Sequence, residues 1–239
     1  MPPDVVQRLQ LRRVDMPANT AIESPGDPIE KLHFLEAGAA SMTTTFQDGS
    51  QVEIGLFGYE SVLGVSALMG VRRSLNRVYM QLDGHGFTVA MNRARAEFLQ
   101  PGIFQNLILR SVQAQLSQVS QSTGCNAKHD VQQRLARWLL LCADRARSRD
   151  LIVSQEFLAT MLGVRRMSAS VTVGHFKQAG FIDHHRGKIR ILDPKGLEGV
   201  ACECYRVVKS YLDSATEFET GFTAAEEPAG HEGRVLKNS

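Results

Sequence analysis

The chain has 239 residues, of which 43% are hydrophobic, and a formal net charge of +2 at pH 7. This length and apolar content are enough for two compact domains, each with its own core. There is no apolar run of about 18 residues and no basic segment followed by an apolar stretch at the N-terminus, so we expect neither a membrane span nor a secretory signal. Four scattered cysteines favour a reducing, cytoplasmic location over a disulfide framework. Because the chain is nearly neutral, any affinity for nucleic acid has to come from a local basic patch.

Residues 1–98 have the pattern of an antiparallel β-domain. After a lead-in that we expect to be helical or irregular, short apolar runs alternate with turn signals such as Asp48–Gly49. The main strand candidates are 32–35, 39–46, 51–56, 78–82 and 87–91. Many short strands with regular turns predict a β-roll or barrel. A cupin-like metal enzyme is an alternative, but it needs several converging ligands, and His33 and His85 are far apart in the sequence.

Residues 99–127 predict one long helix, with Pro101 in its first turn and no Gly or Pro from Phe104 to Thr123. Apolar residues recur at spacings of three and four, as they do in a heptad seam. The seam consists of Leu109, Val112, Leu116 and Val119. Such a seam could pack on the chain's own β-domain, but its polar flanks favour the interface of a homodimer.

Residues 128–220 predict a winged helix-turn-helix. Asp130 and Gln133 form a capping box at the start of one helix, and Ser154 is a good N-cap for the next. Gly163 can end that helix, and a third helix is expected over about 166–178. The hairpin that follows has its turn at Arg186–Gly187. In this arrangement the third helix enters the DNA major groove and the hairpin, or wing, faces the phosphate backbone.

Polar and basic side chains occupy both places where such a domain meets DNA. Asp183 is the only acidic residue between Gly163 and Leu192. The alternative is a small α/β subdomain with a solvated basic face. We expect the following side chains to contact double-stranded DNA: Arg165, Arg166, Ser168 and Ser170 on the third helix, and Arg186 and Lys188 on the wing.

The chain resembles the Crp/Fnr family of bacterial transcription regulators, typified by the cyclic-AMP receptor protein and the fumarate-nitrate regulator. The segments that carry the resemblance are Ser154–Ala159, Met161–Arg166, Ala179–Ile182 and Arg186–Ile189, with Gln133–Leu140 upstream. The resemblance implies an α+β fold with a cyclic-nucleotide-binding-like β-roll in 1–98, a parallel dimerisation helix in 99–127 and the winged domain in 128–220. It also implies a sequence-specific regulator, not an enzyme, that acts as a homodimer on a pseudo-palindromic operator. RNA polymerase is a candidate further partner.

Set on the pattern of this family, Arg166 takes the leading base-reading position, where an arginine can bind guanine through two hydrogen bonds. Two further base-reading positions hold a glutamate and an arginine in the family, and here they hold Met167 and Val171. Neither side chain can make those hydrogen bonds, so the half-site should differ from that of the cyclic-AMP receptor protein. Ser168 suits a phosphate contact, whereas Arg165 and Ser170 are expected to contact bases or phosphates.

The effector site departs from the family pattern. Members that bind cyclic nucleotides carry a Gly-Glu pair for the ribose and, some ten residues later, an Arg-Ser pair for the phosphate. The alignment places Gly64 at the glycine but Val65 at the glutamate, and the arginine falls near Asn76 or Arg77. We therefore expect a different effector or none, with Glu60, Gly64 and Arg77 as candidate lining residues. A cyclic-nucleotide-responsive regulator is the alternative.

No cofactor or metal site is expected. An iron–sulfur cluster needs about four converging thiolates, and the β-domain contains no cysteine. Cys202 and Cys204 fall in a predicted final helix from Pro194 to Ala215, where residues two apart face different sides and cannot easily hold one ion. Residues 221–239 have little apolar content and are expected to be disordered.

Overall fold

The computed structural model describes the backbone of residues 1–216 and the side chains of residues 1–210. An N-terminal β-roll, a long central helix and a C-terminal winged domain follow one another, which confirms the predicted α+β fold. No helix within these residues is long and apolar enough to cross a membrane. The predicted disordered tail, 221–239, lies outside the described residues.

The β-roll is one antiparallel sheet of six strands in the order β1-β6-β3-β4, with β2 paired to β6 and β5 paired to β3. Its two longest strands, β3 and β6, pair along most of their length. The strands are β1 (Arg12–Met16), β2 (Ala21–Glu23), β3 (Lys31–Thr45), β4 (Gln51–Phe57), β5 (Val62–Leu63) and β6 (Arg77–Ala90).

The prediction of separate strands at 32–35 and 39–46, and again at 78–82 and 87–91, was wrong. Each pair is one continuous strand, because the glycines between them bend the chain without ending it. Gly38 has a φ of +90°, and a Cβ there would lie 2.7 Å from the carbonyl oxygen of Asp83 on the neighbouring strand. Register shifts between Leu35 and Ala40 absorb this bend.

Helices close one side of the roll. They are α1 (Pro3–Leu9), a 3₁₀ helix (Val65–Met69), α2 (Met91–Phe98) and the central helix α3 (Ile103–Lys128). Phe104 and Ile108 of α3 are fully buried in a core that includes Leu9, Leu32 and Val89. The first turns of the central helix are therefore fixed to the roll of their own chain.

The winged domain contains α4 (Val131–Ala146), β7 (Asp150–Ile152), α5 (Gln155–Leu162), α6 (Arg166–Gln178), β8 (Ile182–His185), β9 (Lys188–Ile191), α7 (Pro194–Val200) and α8 (Cys204–Thr216). The predicted caps are present, since Asp130 forms a full capping box with Gln133 and the Ser154 hydroxyl accepts from the Phe157 amide. Strand β7 was not predicted; it adds to the wing in the order β7-β9-β8.

The predicted single helix from Pro194 to Ala215 was also wrong. Helix α7 ends at Val200, Ala201 is extended with φ −70° and ψ 151°, and α8 begins at Cys204. Cys202 therefore lies in a short connection rather than on a helix. The break lets α8 pack against α3 as well as α4. Predicted face residues of this helix from 211 onward have side chains outside the described range.

The winged domain packs directly on the roll of its own chain. Ala39 and Leu56 of the roll share one core with Leu139 of α4 and Leu158 of α5. Two polar contacts cross the same boundary: the Trp138 indole donates to Glu53 at 2.9 Å, and Arg145 Nε donates to Glu60 at 2.9 Å. The β-roll and the helices that pack against α6 are therefore in direct contact.

Candidate nucleic-acid interface

Helix α6 presents one buried and one exposed face. Ala169, Val173 and Phe176 are in the core, at the i, i+4 and i+7 positions of a buried helical stripe. The opposite side is open to solvent. Its exposed residues at the start of the helix are Arg165, Arg166, Met167 and Ser168, followed one turn later by Val171.

The N-terminus of α6 is suited to anions. Arg165 is the N-cap residue, Arg166 is the first helical residue, and no acidic residue lies in the first turn. The unpaired backbone amides and the helix dipole add partial positive charge at this end. The two arginines and the helix terminus together make a local positive site on a nearly neutral protein.

Ser170 differs from the other predicted contact residues. Its hydroxyl donates to Oε1 of Gln155 at 2.6 Å, and the side chain is partly buried between α5 and α6. The bond connects the two helices of the helix-turn-helix. It also places the Gln155 amide beside the exposed face of α6.

The wing ends in a tight two-residue turn. His185 pairs with Lys188, and between them Arg186 and Gly187 have φ values of +45° and +76°. Two positive φ values are those of a type I′ turn, which matches the twist of a hairpin. The turn projects Arg186 and Lys188 into solvent at the tip.

Two cations of the winged domain are paired with carboxylates. Arg190 donates twice to Asp150 on β7, at 2.5 and 3.1 Å, and Lys177 of α6 bonds Asp183 on β8 at 2.9 Å. Arg186 and Lys188 have no ion pair to any acidic residue of the described chain. The charge available to a phosphate backbone is therefore concentrated at the tip.

The residues of the predicted seam of α3 face two directions, toward the β-roll and toward solvent. Val112 and Val119 are partly buried against the cores of their own β-roll. Leu109 and Leu116 remain 47% and 58% exposed, and they lie two turns apart on one face. Sequence spacing alone did not separate these two pairs.

The structure does not bring the three candidate effector residues into one set of contacts. Glu60 is buried and bonded to Arg145 and to the amide of Gly58. Arg77 stacks on the ring of Tyr79, 5.1 Å from its centroid. Gly64 has a φ of +87° and starts the 3₁₀ helix, beside the carbonyl of Lys31.

A carboxylate that the sequence did not reveal occupies the region of Gly64. Glu23 of β2 accepts from the Gly64 amide at 3.0 Å and from the Ser74 hydroxyl at 2.7 Å. Burial raises the pKa of Glu23, and these two hydrogen bonds oppose the rise. The donors around Gly64 are thus already used by an acidic group of the protein.

Further polar residues were missed because their partners are distant in the sequence. Glu53 lies under α4, and Arg145 reaches from α4 to Glu60, 85 positions away. No periodicity or local motif marks such pairs.

Comparison with known proteins agrees with this architecture. The model of the Crp-like helix-turn-helix domain matches residues 133–200. The global nitrogen regulator of Synechococcus elongatus is 26% identical over 186 residues, covering 72% of this chain and 82% of that protein. The global nitrogen regulator of a Nostoc species is 27% identical over 190 residues, covering 74% and 83%.

Solved structures extend the likeness to the whole fold. A transcriptional regulator of the Crp/Fnr family from Eubacterium rectale superposes with a TM-score of 0.67 at 18% identity, covering 84% of this chain and 94% of that one. A CRP-family transcriptional regulator from Thermus thermophilus gives 0.67 at 20% identity, covering 80% and 96%. The fold, the basic face of α6 and these relatives define a DNA-binding transcriptional regulator. Residues 133–200 thus carry a Crp-like helix-turn-helix domain, and the overall fold is similar to that of Crp/Fnr-family regulators.

Proposed function

We propose that the protein binds a pseudo-palindromic operator as a homodimer, with α6 in the major groove and the tip of the wing on the phosphate backbone. The observation that carries the proposal is the exposed N-terminus of α6, where Arg165 and Arg166 face solvent without an acidic neighbour in the first turn. Two-fold symmetry sets two such helices about one DNA turn apart, or roughly 34–36 Å.

Arg166 is the proposed base-reading residue, through two hydrogen bonds to guanine O6 and N7. Met167 and Val171 are 78% and 50% exposed on the same face as Arg166, so both side chains are accessible to a base edge. The apolar feature of a base edge in the major groove is the thymine methyl group. We infer a half-site in which a G·C pair read by Arg166 lies next to A·T pairs.

The remaining polar residues are assigned to the backbone. Arg165 and Ser168 lie at the N-terminus of α6 and are proposed to contact phosphates. Ser170 acts together with Gln155, because its hydroxyl is already donated to that side chain. Arg186 and Lys188 at the wing tip are assigned to phosphates on the adjacent groove wall.

The dimer interface is proposed along the exposed face of α3. Leu109 and Leu116 are its centre, and Val112 and Val119 lie at its inner edge against the roll. A groove of about 440 Å³ between α3 and α8 continues this face, lined by Leu116 and by Val207, which is also exposed. A second copy of the chain, supplying the same apolar face, is the occupant that fits this continuity.

We infer that the roll senses an effector other than a cyclic nucleotide, or none. The position of the ribose ligand is Val65, and Glu23 already takes the donors of Gly64 and Ser74. A cyclic phosphate is an anion, so the nearby carboxylate would repel it. A cyclic-nucleotide response stays the alternative, since the basic Arg73 lies next to Ser74 in the sequence.

A regulator of chromosomal DNA works in the cytoplasm, and RNA polymerase is the proposed partner at a promoter. No catalytic role is proposed. A cupin-like site would need converging histidines, whereas His33 pairs with Thr88 and His85 with Ala37 at different registers of the sheet.

Selection of bound duplexes from a random DNA pool, with the full chain at moderate salt, tests the proposal. Recovered sequences should contain two inverted half-sites with centres about 10–10.5 base pairs apart. The affinity for them should fall linearly with the logarithm of salt concentration. Unenriched pools, or a motif without inverted symmetry, would contradict it. Adding cyclic AMP or cyclic GMP tests the alternative, which predicts at least a tenfold gain in affinity.

A further inference from the structure

Four potential metal ligands converge where the central helix meets the winged domain. We call them the Cys3His cluster, which consists of Cys125, His129, Cys202 and Cys204. Their ligand atoms all lie within 4.8 Å of one another. The three cysteines are buried free thiols that form a small core of their own. Three sulfurs and one imidazole on two segments of chain are a donor set found in structural zinc sites.

The distances suit a single tetrahedral ion. Sγ of Cys125 lies 3.5 Å from Sγ of Cys202, and Sγ of Cys204 lies 3.6 Å from Nδ1 of His129. An ion with Zn–S bonds of about 2.3 Å and Zn–N bonds of about 2.0 Å separates its ligands by roughly 3.5–3.8 Å. In an iron–sulfur cluster the ligands bind different irons, so the width of the cluster would spread them farther apart.

The surroundings of His129 are those of a metal-bound histidine. While Nδ1 faces the sulfur atoms, Nε2 lies 3.2 Å from the carboxylate of Glu203. A ligating histidine commonly donates its second N–H to a carboxylate, which fixes the tautomer and orients the ring. Gln121 adds an outer hydrogen bond, because its Nε2 donates to Sγ of Cys204 at 3.0 Å.

Buried positive charge lies beside the cluster. Three thiolates, a neutral imidazole and Zn²⁺ carry a net charge of −1, which is costly to bury alone. The guanidinium groups of Arg134 and Arg137 are both buried and interact electrostatically with Cys125 and Cys202. The Nε atoms of both arginines have no hydrogen-bond partner among the described residues. Their positive charge therefore offsets the negative charge of the site, and Arg137 shares its charge with the buried carboxylate of Glu53.

We propose that the Cys3His cluster binds one Zn²⁺ ion per protomer, as a closed structural site. The ion joins the last turn of α3, the connection between α3 and α4, the connection between α7 and α8, and the first residue of α8. His129 is the C-cap residue of α3 and immediately precedes Asp130, the N-cap of α4. The ion thus fixes the angle at which the winged domain leaves the central helix and holds α8 against α3.

The test is the metal content of the full chain, purified without a polyhistidine tag and without chelators. We expect about one zinc ion per protomer, matching a fully protein-ligated tetrahedral site. Metal-free protein reloaded with Co²⁺ should show the visible absorption of tetrahedral cobalt thiolate. Zinc well below one per protomer, with no cobalt spectrum on reloading, overturns the proposal. Stoichiometric iron with acid-labile sulfide also overturns it.

Variants locate the ion within the chain. Competition with a chromophoric chelator should show that Cys202→Ser weakens zinc affinity by more than about 100-fold, because loss of an outer partner alone costs about 10–100-fold. Cys142→Ser is the matched control, since Cys142 is a buried cysteine of α4 outside the cluster. Equal zinc affinity in Cys202→Ser and the parent contradicts the site.

Glu203→Ala, which removes the acceptor of the His129 Nε2–H, keeps the proposal testable if removal of a cysteine unfolds the protein. The Glu203 side chain is 68% exposed, so the substitution spares the core. It should weaken zinc binding about 10–100-fold, through the lost hydrogen bond to His129. An affinity unchanged from that of the parent would count against His129 as a ligand. None of these measurements depends on DNA binding.

Discussion

The contact between Glu53 and Trp138 predicts a pH-dependent interface between the roll and the winged domain. Glu53 is buried on β4, where it accepts from the Ser41 hydroxyl at 2.5 Å and from the Trp138 indole at 2.9 Å. Burial raises the pKa of Glu53 from 4.5 to about 7, although the two hydrogen bonds and the nearby guanidinium groups of Arg137 and Arg145 oppose the rise. Near neutral pH, this carboxyl is therefore only partly ionised.

The raised pKa of Glu53 sets the direction and size of the change in stability with pH. Because the folded state holds the proton more tightly, the cost of the buried charge is small below pH 4.5 and grows until the pH passes about 7. A difference between 4.5 and about 7 corresponds to roughly 3 kcal/mol of unfolding free energy, as an order of magnitude. The contribution of Glu53 to the free energy of unfolding should therefore fall as the pH rises from 4.5 to about 7.

The substitution Glu53→Gln tests this reasoning, since an amide keeps the shape and can still accept from Trp138. The variant should be more stable than the parent by up to roughly 3 kcal/mol at about pH 8, and by less than about 1 kcal/mol at about pH 5. Urea unfolding measures both values, and Trp138 is the single tryptophan of the chain, so its fluorescence reports the transition directly.

Native-state fluorescence gives a second readout of the Glu53 pKa. The emission of Trp138 should titrate with a midpoint near pH 7 in the parent and lose that transition in Glu53→Gln. Ser41→Ala should move the midpoint upward, because the Ser41 hydrogen bond lowers this pKa. Parallel stability curves for parent and Glu53→Gln across pH 5–8 would refute the argument.

Three further predictions concern the DNA contacts and the dimer. Arg166→Ala should weaken binding to the selected operator by about 1–3 kcal/mol and relax the preference at one base pair; competition among single-base operator variants measures both, and equal affinity would remove the base-reading role. Lys188→Ala should weaken all duplexes alike and lower the salt slope by about one, whereas Arg190→Ala should change the slope less, because Arg190 is paired with Asp150. Leu116→Ala should cost roughly 2 kcal/mol per dimer, or about 30-fold in the dissociation constant measured by sedimentation, since two half-exposed leucines lose their cover. Leu75→Ala is its control, because Leu75 is 81% exposed and lies in the loop before β6 rather than on α3; the same loss in both variants would exclude the proposed seam.

Elements that are set by local chemistry could be read from the sequence. The end of α5 and the two-residue turn of the wing follow from Gly163 and from Arg186–Gly187, whose backbone conformations need little help from distant residues. The strands of the roll could not be bounded in the same way. At Gly38 a turn and a bend give the same local signal, and only the neighbouring strand decides between them.

Residues that act through long-range contacts could not be paired by sequence pattern. Cys125 and Cys202 are 77 positions apart, and the assumption of a continuous final helix directed Cys202 and Cys204 to different sides. For a related reason, the spacing in α3 did not show which residues of its predicted seam face the roll. Spacings of three and four give an apolar stripe, but the stripe does not say which of its members the chain's own roll covers.

The contacts of β4 indicate how the roll can influence α6. Glu53 accepts a hydrogen bond from Trp138 of α4. The neighbouring Val52 packs close to Gly163, because a Cβ added to Gly163 would lie 3.2 Å from the Val52 side chain. Gly163 ends α5 with a φ of +61°, three residues before α6 begins. A shift of β4 therefore has to move the helix-turn-helix or break these contacts. Because a ligand changes an equilibrium only through unequal binding to its two states, a ligand of the roll would act on α6 through these contacts only by favouring one position of β4 over another.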